Sequence, residues 1–153
     1  MTTAHLAGIA RHDRPKGPME TIDRVAVTVA EGVHGDYRGA LAATKPSRKR
    51  QVTLIEAESV SAAMAESGAV LDWSDCRRNL LLRGIRLPRA EGTRVRVGDS
   101  LVLEITCECD PCERMDELHS GLRAALTPDW RGGFCARVID DGEIAVGDTV
   151  RIL

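Results

Sequence analysis

Two echoing segments constrain the fold of this chain most. Residues 94–106 read RVRVGDSLVLEIT and residues 143–153 read EIAVGDTVRIL. Each alternates, passes through Val-Gly-Asp and alternates again. Period-two alternation marks a strand with one buried face, and Gly-Asp between two such runs marks a tight reversal. In the first segment Leu101, Leu103, Ile105, Cys107 and Cys109 fall on one face. Similar patterns predict strands at 24–30, with Val25, Val27 and Val29 on one face, and at 51–55, 79–82 and 133–139. Helix is expected over 56–67, an Ala- and Glu-rich run followed by Gly68 where a C-terminal cap belongs. A second helical stretch, 113–126, is broken near Gly121. Many short strands with few helices predict a mainly β chain, closed or partly closed into a barrel.

The 153 residues contain no dividing linker, so one domain over 1–153 is expected. The one long polar stretch is 34–50, with Gly35, Gly39, Pro46 and a basic cluster, and it reads as a functional loop. A net charge of −2 argues against duplex nucleic acid as a partner. Aromatic residues at 3% leave little for stacking on single strands. No apolar run approaches the ~20 residues of a membrane span, and the first residues lack the basic-then-apolar pattern of a secretory signal. Five cysteines, an odd number, then suggest free thiols in a reducing cytoplasm.

The densest chemistry is Thr106-Cys107-Glu108-Cys109-Asp110-Pro111-Cys112-Glu113-Arg114. Three thiolates at this spacing could hold zinc or an iron–sulfur cluster, with a fourth ligand from Cys135, Cys76 or His119. The other reading is a single reactive thiol. Asp110-Pro111 favours a turn, and Cys112 would then open a helix with Arg114 beside it, which favours the thiolate. Such a thiolate can ligate a soft metal or carry sulfur as a persulfide. Cys107 and Cys109 follow the apolar face and read as small core residues, as do Cys76 and Cys135.

At this point the chain resembles the MOSC domain, the module named after the C-terminal part of molybdenum cofactor sulfurase. The pieces run in the family's order: Gly32-Val33-His34-Gly35-Asp36, then 48–55 (RKRQVTLI), then Cys76-Arg77-Arg78-Asn79-Leu80 with Gly84-Ile85. Pro111-Cys112 matches the family's cysteine, Trp130-Arg131-Gly132-Gly133 its closing Arg-Gly strand, and Val146-Gly147-Asp148 completes the set. The resemblance covers roughly residues 20–153. It implies a distorted β-barrel of the MOSC type, molybdenum cofactor as ligand, and Cys112 as the catalytic thiolate and metal ligand. The activities implied are reduction of N-hydroxylated compounds or sulfur transfer, with an electron-transfer or sulfur-donor protein as partner. Cys107 and Cys109 depart from the family pattern and keep the metal-cluster reading open.

A pterin cofactor brings a phosphate and a polar ring edge, which arginine forks and an asparagine amide suit. The candidate cofactor-binding residues are therefore Arg50, in a basic phosphate clamp with Arg48 and Lys49, together with Arg78, Asn79 and Arg131. Arg78 and Asn79 are adjacent, so in a strand only one would face the pocket. Each has a plainer reading: a solvated loop for Arg50, a barrel-closing bulge for Arg131. Gly35-Asp36 reads as a turn, although His34 and Asp36 could also pair chemically, and His119 suits a helix C-terminus. Pyridoxal phosphate is not expected, because Lys16, Lys45 and Lys49 all lie in polar, loop-like sequence, unlike a desolvated Schiff-base lysine. The alternatives are a structural zinc or iron–sulfur module built on Cys107, Cys109 and Cys112, or a degenerate member that binds only a small anion.

Overall fold

A computed structural model of the protein describes residues 3–45 and 47–153. In chain order the strands are β1 (His5–Arg11), β2 (Glu20–Ile22), β3 (Arg24–Thr28), β4 (Gly32–Val33), β5 (Val52–Glu56), β6 (Leu80–Arg83), β7 (Arg94–Val97), β8 (Leu101–Glu108), β9 (Phe134–Asp140), β10 (Gly142–Ala145) and β11 (Val150–Ile152). The helices are α1 (Tyr37–Ala43), α2 (Ala57–Ser67), α3 (Arg114–Leu118) and α4 (Leu122–Leu126). The chain is mainly β, as its periodicity predicts.

Eight strands form one mixed sheet in the order β11-β7-β8-β9-β5-β6-β1-β2, and β10-β3-β4 form a second. The parallel pair is β5·β6, joined by a crossover through α2. Both strands are therefore covered on two faces, and their apolar runs are continuous rather than alternating. Leu54, Leu80 and Leu82 enter the core between the two sheets, with Val25, Val27, Val33 and Ile144 from the small one. Ile55 and Leu81 point the other way, under α2, α3 and α4, against Val60, Met115, Leu122 and Leu126.

Closure into a barrel is not found. Among the described residues the main ladder ends at β11 and β2; residues 4–6 meet residues 147–150 through one bridge, His5↔Thr149, and the bonds Leu6 N–H to Asp148 O, Gly147 N–H to Leu6 O and Val150 N–H to Ala4 O. The two Val-Gly-Asp segments also diverge. The first makes the expected hairpin β7·β8, but in the second β10 pairs with β3 and β11 with β7, so it crosses between sheets. Alternation fixes a strand's faces, not its partner. Val29 leaves the β3 face: the strand ends at Thr28 and the Val29 N–H bonds the Asp141 carboxylate. The stretch 34–50 is not all loop either. It contains α1, started by Asp36, whose side chain accepts from Gly39 N–H at 3.2 Å.

The end of β5 carries the most heavily used carboxylate. Buried Glu56 accepts from the Leu87 N–H (2.7 Å), the Ser59 hydroxyl (3.2 Å) and both Arg89 amino groups (2.8 and 2.7 Å). The Arg89 guanidinium in turn lies 5.2 Å from the Phe134 ring centroid. Removing one member of such a pair strands the other's charge. Glu56→Ala is therefore expected to cost about 3–5 kcal/mol, read as a lower urea midpoint with an unchanged slope. A midpoint equal to the wild type's would refute this role for Glu56.

Candidate functional site

Where Cys112 sits follows from the loop that carries it. β8 ends at Glu108, Asp110-Pro111 turns the chain, and Cys112 stands exposed ahead of α3. The loop is tied to the start of β9 by Arg78. This buried side chain donates to the carbonyl of Gly132 (2.7 Å) and to those of Cys109 (3.3 Å) and Asp110 (3.2 Å). Glycine is required on the facing segment. A Cβ at Gly132 would lie 2.8 Å from Cys109 O and 2.9 Å from Pro111 Cδ, and one at Gly133, where φ is +111°, would collide with Leu54 O. Because α3 is only five residues long, the cationic side chains beside Cys112 rather than a helix dipole set its surroundings.

Those side chains line a cavity of about 430 Å³. Its walls come from the segment after β1 (His12, Lys16), from α1 (Tyr37, Arg38), from Arg50 ahead of β5, from Cys76–Arg78, and from Asp110, Cys112 and Arg114. Asp110 is the single carboxylate among the lining residues, set against five arginines and a lysine. Burial, and then the repulsion of Arg50 opposed by Cys109 and Asp36, holds Arg38 below the ordinary arginine value. Arg77 is lowered by burial, then by Arg114 and Arg38. Both stay protonated at any physiological pH. Arg77 also occupies left-handed backbone, φ +61°, while donating to Gly17 O at 2.8 Å. A non-glycine residue held there points to a geometry imposed by its surroundings.

The expected site residues fall in three places. Arg50 and Arg78 line the cavity with Cys112, although the Arg78 donors go to backbone carbonyls. Asn79 is a buried strap: its amide oxygen accepts from the Thr53 N–H (3.0 Å) and hydroxyl (3.2 Å), and its NH2 donates to Ala10 O (3.1 Å). It faces only a water-sized pit at the inner end of the cavity. Arg131 is absent from the cavity lining. Its guanidinium bonds both Glu66 oxygens (2.7 and 3.0 Å) and Ala125 O (3.0 Å), which ties the β9 approach to α2 and α4. His34 is exposed and bonds Glu31, and His119 bonds Ser67 O. Asp36, His12, Arg38 and Arg77 are brought together by folding. Asp36 and Arg77 lie in segments that carry the family resemblance, whereas no pattern in the sequence pointed to His12 or Arg38.

Of the remaining thiols, Cys76 lies buried in the cavity wall, and Cys107, Cys109 and Cys135 are absent from its lining. Cys135 pairs with Cys107 across β8·β9 and hydrogen-bonds Cys109, which it draws down to about 6 against the effect of burial, aided by Arg78 and Arg50. The same bond and burial push Cys135 up. Burial raises Cys76 to about 11. Among the described residues no three His, Cys, Asp or Glu side chains converge as a metal-binding group, and no helix is long and apolar enough to cross a membrane.

The family model of the MOSC domain matches residues 30–151. The sequence matches no curated protein. The fold is similar to that of the YuaD protein from Bacillus subtilis, at 19% identity and a TM-score of 0.78 over 99% of this chain and 96% of that one. It is also similar to YiiM from Geobacillus stearothermophilus, at 15% identity and a TM-score of 0.70 over 98% of this chain and 75% of that one. YiiM from Escherichia coli follows at 13% identity and a TM-score of 0.64, over 97% and 69%. By that match over residues 30–151 of its 153, this chain belongs to the MOSC domain family.

Proposed function

We propose that this MOSC protein binds molybdenum cofactor in the arginine-lined cavity and uses the Cys112 thiolate as a ligand to the metal. The observation that carries the reading is one exposed thiol and five arginines facing a single space of about 430 Å³. That volume lies in the range of small-molecule sites. The residues fit the group. Arg50 Nε is buried and has no hydrogen-bond partner, a donor that a phosphate oxygen would satisfy. A cysteine thiolate suits a soft metal centre. When bound, the cofactor would supply a metal that exchanges two electrons.

The chain's own residues do the rest. Arg38, Arg50 and Arg77 neutralise the phosphate, Arg78 holds the 109–112 loop against β9, and Asp110-Pro111 keeps the thiol at the rim. The reaction is two-electron reduction of an N-hydroxylated compound, with electrons from a partner protein in a reducing cytoplasm, where free thiols persist. A sulfur-carrying role would use the same thiol but needs no cationic cradle, so the arginines favour the cofactor. A zinc or iron–sulfur site at Cys107, Cys109 and Cys112 is disfavoured because, among the described residues, these thiols do not converge: Cys109 is buried and Cys112 exposed.

Protein produced with the cofactor pathway intact should carry stoichiometric molybdenum, lost in Cys112→Ser and retained in Cys107→Ser. Wild-type protein free of molybdenum by elemental analysis would overturn the reading. Thiol accessibility supplies a second check. Brief iodoacetamide treatment at neutral pH should modify Cys112 and spare Cys76, which is buried and mostly protonated until about pH 11. Peptide mass spectrometry that finds Cys76 modified as fast as Cys112 contradicts the geometry of the rim.

A further inference from the structure

The inner end of the cavity contains a group that metal ligation does not use. A pit of about 10 Å³ opens there, lined by His12, Asp36, Arg38, Arg50 and Arg77 with polar Thr53 and Asn79, and it shares His12 and the three arginines with the main cavity. Its size is close to one water. His12 is 7% exposed, and its Nδ1 has no hydrogen-bond partner. The nearest carboxylate oxygen, Asp36 Oδ1, lies 3.5 Å away, beyond a good hydrogen bond. Asp36 is itself buried, and its carboxylate accepts only from the His12 N–H (3.2 Å) and the Gly39 N–H (3.2 Å). So an imidazole with an idle nitrogen and a carboxylate without a bonded cation stand side by side, beneath three guanidiniums.

We propose that the inner end of the cavity is a proton-coupled oxyanion site, in which a doubly charged tetrahedral oxyanion binds in the main cavity against Arg38, Arg50 and Arg77, above the pit, while His12 takes up one proton and pairs with Asp36. The proposal rests on the reading of the cavity as an anion site and adds the proton. With the cavity empty, His12 is held below the ordinary histidine value by burial first, opposed by Asp36, and then by Arg77, Arg38 and Arg50. Tyr37, whose ring lies 6.4 Å from the imidazole, is the other titratable side chain on α1 at this point. A bound dianion offsets the arginine charge, and the Asp36 carboxylate is then the dominant neighbour. The imidazolium is favoured in the bound state, so the His12 pKa rises on binding. Affinity therefore grows as pH falls through the bound-state pKa and levels off below the free-state one. One proton allows at most about a tenfold gain per pH unit within that window.

Sulfate is the probe, because it keeps both charges throughout the range. Calorimetric titration between pH 8 and pH 5.5 should show tightening for the wild type and a much flatter profile for His12→Gln. In the wild type, NMR titration of the His12 ring should show its pKa moving up when sulfate is added, a readout that stands even if the variant folds poorly. Sulfate binding with a His12 pKa that does not move overturns the proposal and leaves the anion cavity intact. No sulfate binding at any pH overturns both the proposal and the reading of the cavity beneath it. At pH 8, tighter binding of phenyl phosphate than of sulfate assigns the site to the phosphoryl end of a larger ligand. The reverse order assigns it to the free oxyanion, and either result supports the site.

Discussion

The Arg78 guanidinium, buried between β6 and the 109–112 loop, is bonded to three backbone carbonyls and to no carboxylate. Carbonyl oxygens satisfy its donors but leave its charge in place, and a buried charge without a counter-ion is costly. Two consequences follow from that one choice of partners. The loop bearing Cys112 is held at a fixed distance from β9. The positive charge also remains available to the cavity and to the Cys109 thiol beneath it, which it helps to lower. An acidic partner for Arg78 would have held the loop equally well while removing that field.

The same logic extends across the cavity. The chain as a whole has a net charge of −2, and most of its ion pairs lie elsewhere: Glu56 with Arg89, Glu66 with Arg131, Asp129 with Arg86. In the cavity, arginines meet one another instead, and Arg38 and Arg77 are both lowered, first by burial and then by neighbouring guanidiniums. Mutual repulsion of this kind works against the folded state. An anion bound as proposed would relieve it. The same residues would then cost stability on their own and supply affinity to the ligand, the usual trade at a binding site.

The elements legible in the sequence are those written in local code. Gly68, in left-handed backbone at φ +78°, ends α2 where the helical pattern stops, and Gly121 at φ +92° separates α3 from α4. The hairpin β7·β8 follows from Val-Gly-Asp, yet the second copy of that motif reaches different strands, because pairing is decided by the whole sheet. α1 was hidden in a stretch rich in Gly, Pro and basic residues. At the site, strand alternation over Arg78 and Asn79 suggests that one of them faces the pocket. Of the two, Arg78 lines the cavity and Asn79 does not, and the left-handed turn at Arg77 lets that residue line it as well. The Arg131-Gly132-Gly133 run reads as close approach to a ligand, and its glycines do serve close approach, but of one backbone to another. His12 lies 24 residues from the carboxylate it neighbours, and no local pattern records such a meeting.

A register shift explains why the three thiols of 107–112 do not act as a set. The alternation that places Leu101, Leu103 and Ile105 in the core breaks between Ile105 and Cys107, so Cys107 leaves that face and stands opposite Cys135 on β9; Cys109 follows the end of β8, and Asp110-Pro111 turns Cys112 out to the rim. Cys109 has the lowered pKa, about 6, and Cys112 has the exposure. Ionisation alone does not make a nucleophile or a ligand, because the partner must also reach the sulfur. Sealed at 2% exposure, Cys109 can lend negative charge to Arg78 and Arg50 but cannot meet a ligand entering the cavity. In the proposed function, chemistry on an incoming group therefore falls to Cys112. Of the buried thiols only Cys109 is lowered, and it faces the charges of Arg78 and Arg50 rather than the ligand.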